Sequence, residues 1–414
     1  MLIGRARRLA RLAYAVPWCV PQWGWREAAA TVVGTVTPGD GASAADFAVA
    51  VREVLNVPFA LPVGLGRMAI ELGLRAMEIG PGDDVVLPSY VCTSVLQAVQ
   101  HVKAHPVFAD VGPSLNVTLE TVLAALTPRT RCVIVPHLFG ASAPIASIER
   151  ALRERGIGLM DDAAQGLGAV DEGRPVGSFG ACWIVSVGPG KPLAGSGGGV
   201  LVTSDRGLFE RAAAVAPAGE VGSGLGRVWG FWVRRRLRRY SLPVQVLAHR
   251  LMRKTHPPDD GESDYILGGM SGIEARIGMA QLRRLGATIV ARRRNAALLL
   301  AAMGSLSAYN VVDTKAATAS MKLALVLPEG GPSVEETIEA FADGGVECQQ
   351  GYTPCHHRVP GTDSRVPYTE FVWRRVLCVP LETSLPRPDR LAAGLTRIAP
   401  RTLGGTQASL VVGV

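Results

Sequence analysis

Three short motifs carry the side chains with chemistry to offer. Ser186-Val187-Gly188-Pro189-Gly190-Lys191 ends on a lysine held in a tight glycine loop, just ahead of the glycine run 195–199. A lysine held that way is placed to act as a nucleophile toward a carbonyl. Asp161-Asp162-Ala163-Ala164-Gln165 puts two acids at the end of an apolar run. A carboxylate there can keep a heteroaromatic nitrogen protonated, because a nearby negative charge favours the charged form; taken alone, the same pair reads as a surface turn. Gly64-Leu65-Gly66-Arg67-Met68-Ala69 fits the spacing GxGxxG/A and opens a helical pattern. A dinucleotide site would need an acid about 20 residues on, at the end of the second strand. Asp83 and Asp84 instead precede that strand, in a Pro81-Gly82 turn. A glycine turn at a helix start still offers N–H groups and the helix dipole to a phosphate. The anion-binding helix start, strand-end acid and loop lysine, in this order, say more than any one of them.

The elements that must position these residues follow from the apolar pattern. Val85-Val86-Leu87, Pro106-Val107-Phe108, Cys132 to Val135, Gly158-Leu159-Met160, Trp183-Ile184-Val185 and Val200-Leu201-Val202 are strand-like runs. Helical patterns near 93–102, 118–126 and 144–155 separate the earlier ones. Nearly continuous apolar strands alternating with helices predict an α/β fold: a large domain whose mostly parallel sheet is sandwiched by helices. Ligands on such sheets sit at the carboxyl ends of the strands. The pattern divides the chain into an N-terminal basic and aromatic segment with entry helices (1–56), the large domain (57–220), a basic aromatic insertion (221–262), and a C-terminal part (263–414). That last part opens with a long amphipathic helix over 272–303, whose Met and Leu residues read as core. A smaller α/β domain follows, with strands near 321–327 and 375–380 around a helix near 334–343.

On these motifs the chain resembles the sugar aminotransferases of the DegT/DnrJ/StrS type, pyridoxal 5'-phosphate (PLP) enzymes of the aspartate aminotransferase fold. Glu71 to Met77, Ile79 to Asp83, Thr127 to Thr130, His137-Leu138-Phe139-Gly140, Asp161 to Gln165 and Ser186 to Lys191 carry the likeness. It is close over 57–216 and looser through Gly278 to Leu282, Gly351-Tyr352 and Leu377 to Leu381. The resemblance implies that Lys191 holds PLP as a Schiff base and shuttles a proton. It implies that Asp162 pairs with the ring nitrogen and Gln165 with the ring 3-oxygen. Ser186 and the backbone N–H groups of Gly66 and Arg67 would hold the phosphate. Arg67 stands where the family usually has Thr or Ser; its guanidinium either binds the phosphate or points away. Cys92 occupies the position of the aromatic that often covers the cofactor ring, with Tyr90 as the alternative stacking group. The family's N-x-R-M segment reads Leu267-Gly268-Gly269-Met270 here. Tyr90, His137, Tyr352 and His356 are the substrate-side candidates, His137 also reading as a packed histidine. The implied reaction moves an amino group from glutamate or glutamine to a keto group of a sugar-type acceptor, nucleotide- or lipid-linked, in a homodimer. The runner-up is a PLP-dependent dehydratase or lyase of the same fold, against which Lys191 counts, since a histidine replaces the lysine there. A non-catalytic, membrane-associated PLP-binding protein is the third reading.

Composition sets the outer limits. With 48% hydrophobic and 19% charged residues the chain has ample material for a core. No apolar run reaches the roughly 18 residues that span a bilayer. Seven scattered cysteines without a CxxC pair argue against a disulfide framework or a zinc site, and for a reducing cytoplasm; no metal is expected. The net charge of +8 is local: nine Lys/Arg and no acid lie between Arg227 and Lys254, and without them the charge is −1. The chain as a whole is therefore not read as a nucleic-acid binder. Trp229, Phe231 and Trp232 beside those arginines fit an anionic membrane surface, or a solvated or dimer-facing insertion. Arg5, Arg7, Arg8 and Arg11 precede an apolar stretch that Pro17 and Pro21 break, which reads as a retained segment, with Trp18, Trp23 and Trp25 as a second contact.

Overall fold

The computed structural model describes residues 23–37, 41–217, 224–240, 267–303, 321–343, 348–361 and 365–381, with a few single positions and the short strand Asn310–Val311 besides. Its main sheet contains β1 (Phe59–Val63), β2 (Asp84–Pro88), β3 (His105–Ala109), β4 (Thr130–Pro136), β5 (Gly158–Asp162), β8 (Cys182–Ser186) and β9 (Gly199–Thr203). The order across the sheet is β1-β9-β8-β5-β4-β2-β3. All neighbours from β8 to β3 run parallel, whereas β9 lies antiparallel to both β8 and β1. The two-residue strands β6 (Val170–Asp171) and β7 (Arg174–Pro175) form a hairpin beside it.

Why the strands read as unbroken apolar runs is visible in their packing. Val85 and Leu87 point into one core cluster with Cys132, Ile134, Met160, Cys182 and Ile184. The residues between them, Val86, Val133, Val135 and Leu159, point into a second cluster on the opposite face. Both faces are therefore dry, as a helix-covered parallel sheet requires. Helices α1 (Trp25–Val36), α2 (Gly41–Leu55), α3 (Gly66–Ala76), α4 (Thr93–His101), α5 (Leu119–Ala125), α6 (Ile145–Arg153) and α7 (Arg206–Val215) belong to this part of the chain. Helix α3 contributes Met68, Leu72 and Leu74 to the first cluster.

The C-terminal sheet, of order β10-β11-β13-β12, is antiparallel: Asn310–Val311, Lys322–Val326, Val376–Pro380 and Gln349–Gln350. Helix α11 (Val334–Asp343) packs there through Val334 and Phe341. One expectation changes. The long helix over 272–303 is two helices, α9 (Gly272–Leu282) and α10 (Leu285–Met303), joined by a turn at 283–284. At that turn Arg284 reaches back to Glu27 at 3.1 Å, and Gly286 costs about 1 kcal/mol as a helix former.

Within the basic insertion, residues 224–240 are described. Residues Leu225–Tyr240 form helix α8, and one side of it packs on Trp23. Trp23 is buried, 4.6 Å from the Phe231 ring and 5.2 Å from the Trp232 ring, and donates its indole N–H to the Ala194 carbonyl at 2.7 Å. Trp232 donates to Thr31 at 2.9 Å. Trp23, Phe231 and Trp232 are thus committed to packing within the chain, because each indole finds its acceptor there. Trp229 and Trp25 remain exposed. The rest of the segment, 241–262, and the N-terminal arginines with Trp18 lie outside the described residues. Among the described residues no helix is long and apolar enough to cross a membrane.

Candidate active site

Side-chain alternation decides what the two adjacent aspartates do. They end β5, so they point to opposite faces of the sheet. Asp161 is fully buried and saturated: one oxygen accepts the backbone N–H groups of Gly177, Ser178 and Phe179 at 2.7, 3.1 and 3.2 Å, and the other meets His137 Nε2 at 3.0 Å. Asp162 lies on the other face, level with Ile184 of the adjacent β8. Its oxygen accepts the Ala164 N–H at 3.0 Å. Burial lifts its carboxyl above the usual 3.8, against which the Lys191 ammonium and the Ala164 N–H pull it down. Asp161 is a structural carboxylate, and Asp162 is the one with chemistry to spare.

Lys191 follows β8 in a turn closed by its own N–H on the Gly188 carbonyl at 3.1 Å, with Gly190 in the left-handed region (φ 69°). Ser186 ends β8 on the same face as Ile184 and Asp162. Its Oγ would lie 2.9 Å from a side-chain carbon added at Gly66, the first residue of α3. No side chain caps α3, so its first-turn N–H groups are presented to an anion at the Ser186 hydroxyl. Gly199 completes this contact. A carbon added there would come within 2.6 Å of the Leu65 carbonyl oxygen and 2.7 Å of Gly66, so glycine alone permits the approach of β9 to the helix start.

The remaining predicted residues divide. The Arg67 guanidinium turns to Gln97 of α4 at 2.6 Å and lies over the Tyr265 ring at 5.4 Å, which favours the arrangement in which it points away. Gln165 accepts the Phe139 N–H at 3.1 Å and donates to the Tyr352 hydroxyl at 2.8 Å, leaving one amide hydrogen to spare. Phe139, in a left-handed backbone conformation (φ 59°), stacks near-parallel on Tyr352, with ring centroids 6.0 Å apart. Cys92 sits at the start of α4 beside Ser94. Tyr90 is corrected as a stacking group: it is fully buried, accepts the Tyr352 N–H at 3.2 Å and meets that ring edge-on. Burial pushes its phenol well above 10. His137 is likewise removed from the substrate side. It is fully buried, and both its ring nitrogens are used, on Asp161 and on the Ala143 N–H. His356 faces Ser89 and Glu370 rather than the lysine loop.

Two supporting residues were invisible in the sequence. Glu274 of α9 accepts from Ser196 in the glycine run at 3.1 Å, from Ser271 at 2.8 Å, and from Arg227 at 2.9 and 2.8 Å. The first arginine of the basic segment is therefore tied to the loop that follows Lys191. Arg292 of α10 is buried and reaches the Lys191 carbonyl at 3.5 Å. Neither carries a local sequence signal, since both act across long separations.

Against this geometry, the model of the DegT/DnrJ/EryC1/StrS aminotransferase family matches residues 27–391. A UDP-N-acetyl-3-dehydro-alpha-D-glucosamine 3-aminotransferase of Acidithiobacillus ferrooxidans is 41% identical over 142 residues, 34% of this chain and only 38% of that relative's length. A dTDP-4-dehydro-2,3,6-trideoxy-D-glucose 4-aminotransferase of Saccharopolyspora spinosa is 29% identical over 328 residues, 77% of this chain and 78% of the relative. The crystal structure of the aminotransferase TlmJ from Streptoalloteichus hindustanus superposes with a TM-score of 0.75 at 24% identity, covering 93% of this chain and 98% of that one; it shares the fold.

Proposed function

The chain belongs to the DegT/DnrJ/EryC1/StrS aminotransferase family, and on that premise we propose that it transfers an amino group from glutamate or glutamine to the keto carbon of a sugar-type acceptor, with PLP held at Lys191. The supporting observation is the division of labour at the end of β5. Asp161 is consumed by the fold, while Asp162 shares the face, and the electrostatic reach, of the lysine loop. The residues fit the cofactor. Gly66, the uncapped α3 N-terminus and Ser186 make a cradle for a phosphate. The buried Asp162 needs a cation to be stable as a carboxylate, which a protonated ring nitrogen supplies. Gln165 has one amide hydrogen left for the ring oxygen.

When bound, PLP supplies an electron sink that stabilises negative charge at the reacting carbon. The chain supplies the rest. Lys191 Nζ takes the proton from the α-carbon of the amino donor and returns one to the acceptor carbon on the way out. Asp162 holds the proton on the ring nitrogen. The His137 ring, through Nε2, fixes Asp161, and through it the end of β5. In the homodimer expected of the family, the 267–270 segment, lacking the usual Asn and Arg, leaves phosphate binding to the residues named above. Intact Lys191 favours amino transfer over dehydration. The test is a half-reaction: adding glutamate or glutamine to the purified yellow protein should bleach the cofactor band to that of the aminated form, and a keto-sugar nucleotide should restore it. Full turnover by Lys191→Ala would overturn the reading.

A further inference from the structure

Away from the lysine loop, three metal-ligating side chains converge on one point. His356 and His357 lie on the short helical turn Cys355–Arg358, and Glu370 lies on α12 (Pro367–Val372). One carboxylate oxygen of Glu370 is 2.8 Å from His356 Nε2 and 2.5 Å from His357 Nε2. Three ligand atoms from the three residues lie within 4.8 Å of one another. We infer that His356 Nε2, His357 Nε2 and the Glu370 carboxylate form a site for a borderline divalent transition metal such as Zn2+, completed by water.

The chemistry of the donor set carries the inference. Two imidazoles and one carboxylate are a common ligand set for zinc, and three protein ligands leave a fourth position for solvent. In the hydrogen-bonded arrangement both Nε2 atoms compete for a single oxygen, and moving them apart by less than an ångström makes room for an ion at about 2.0–2.2 Å from each donor. Metal-bound histidines have their other nitrogen held by a neighbouring group, which fixes ring and tautomer. His356 Nδ1 is held by the Ser89 hydroxyl at 2.5 Å. The second oxygen of Glu370 is held by the Trp373 indole N–H at 3.2 Å. Helix α12 is fixed in its turn, because Asp110 accepts the backbone N–H groups of Tyr368 and Thr369 at 2.8 and 2.7 Å. His357 and Glu370 are about a third and a half exposed, so an ion and its water can enter.

The scattered cysteines gave no hint of such a site, since it uses none of them. Its position gives it a task. The turn 355–358 continues the segment from Tyr352, whose hydroxyl takes a hydrogen bond from Gln165, and Cys355 donates its N–H to the Ser89 carbonyl. An ion shared with α12 would lock that segment against the end of β2, acting on the site as a staple rather than as a reactant. The binding claim does not depend on the amino-transfer reading.

The test uses the full-length holoprotein, stripped with a chelator, desalted and titrated with Co2+, whose visible bands report coordination geometry. One equivalent should bind with the intense bands of a four-coordinate site, and Zn2+ should displace it. His357→Gln and Glu370→Gln should abolish the bands and weaken Co2+ binding at least 100-fold, and Ser89→Ala should weaken it about 10–100-fold. Circular dichroism and the cofactor absorbance of each variant show that it is folded and loaded. Absence of saturable Co2+ binding in the parent, or undiminished binding in folded His357→Gln and Glu370→Gln, overturns the assignment.

Discussion

Replacing each carboxylate of the Asp161-Asp162 pair by its amide separates the structural acid from the chemical one. Asp161 accepts four hydrogen bonds, three from backbone N–H groups and one from His137. An asparagine has one acceptor oxygen, so its NH2 must face either the three backbone donors or the imidazole N–H. At least one bond to a charged acceptor, about 1.5–3 kcal/mol, is lost, and a buried donor is left facing a donor at about 1–3 kcal/mol more. Asp161→Asn should therefore destabilise the cofactor-free protein by about 3–5 kcal/mol, the range for breaking a buried charged network. Asp162 accepts from Ala164, a bond the amide oxygen keeps, and its burial opposes its charge. Asp162→Asn should leave cofactor-free stability unchanged or slightly raised. The pH dependence has a definite sign. A carboxyl whose folded value lies above 3.8 binds its proton more tightly in the folded state. The stability it contributes is complete below 3.8 and lost as the pH rises through the raised value. The stability of Asp162→Asn relative to the parent should thus grow across that interval and level off above the raised value. Urea unfolding of the cofactor-free proteins between pH 4 and 8 measures both effects as midpoint shifts at constant slope. Equal losses for the two variants, or a larger loss for Asp162→Asn, would refute the assignment.

Other expectations follow from packing. Gly199→Ala forces β9 away from Leu65 and Gly66; overpacking of this kind costs about 1–3 kcal/mol. PLP affinity, read by absorbance titration of the cofactor-free protein, should fall about tenfold or more, and unchanged affinity would deny that Gly66 and Ser186 form the phosphate cradle. Trp23→Ala removes the side chain on which Phe231 and Trp232 pack. It should cost about 3–5 kcal/mol and speed proteolysis within 224–240, and an unchanged melting midpoint would contradict the packed reading of that helix.

Much of this architecture is legible in the sequence because it rests on local periodicity. The runs around Val85, Cys132, Gly158, Trp183 and Val200 are apolar on both faces, and each became a strand of the main sheet. The motifs ending at Gln165 and Lys191 sit at strand ends, where a parallel sheet places its ligands. What periodicity could not give is contact between distant residues. Glu274 tying Arg227 to Ser196, Arg292 at the Lys191 carbonyl, and Glu370 between two histidines are set by tertiary packing alone. Tyr90 was misplaced for the same reason, and of the two readings of His137 the packed one is the outcome. Each sits in a motif near the site, but burial and specific hydrogen bonds, visible only in three dimensions, turn it into the scaffold. The aromatics beside the basic run could be read from the sequence as membrane anchors or as part of a solvated or dimer-facing insertion; the packing of Phe231 and Trp232 on Trp23, about 200 residues earlier in the chain, is a contact that no local pattern shows.

The most direct measurement is the chemical identity of the lysine that holds the cofactor. Borohydride reduction of the PLP-loaded protein, followed by proteolysis and mass spectrometry, should place the cofactor's mass on the peptide containing Lys191 and on no other, and Lys191→Ala should take up no label. Label recovered on Lys103 or Lys322, or on Lys191→Ala to the parent's extent, would contradict the account.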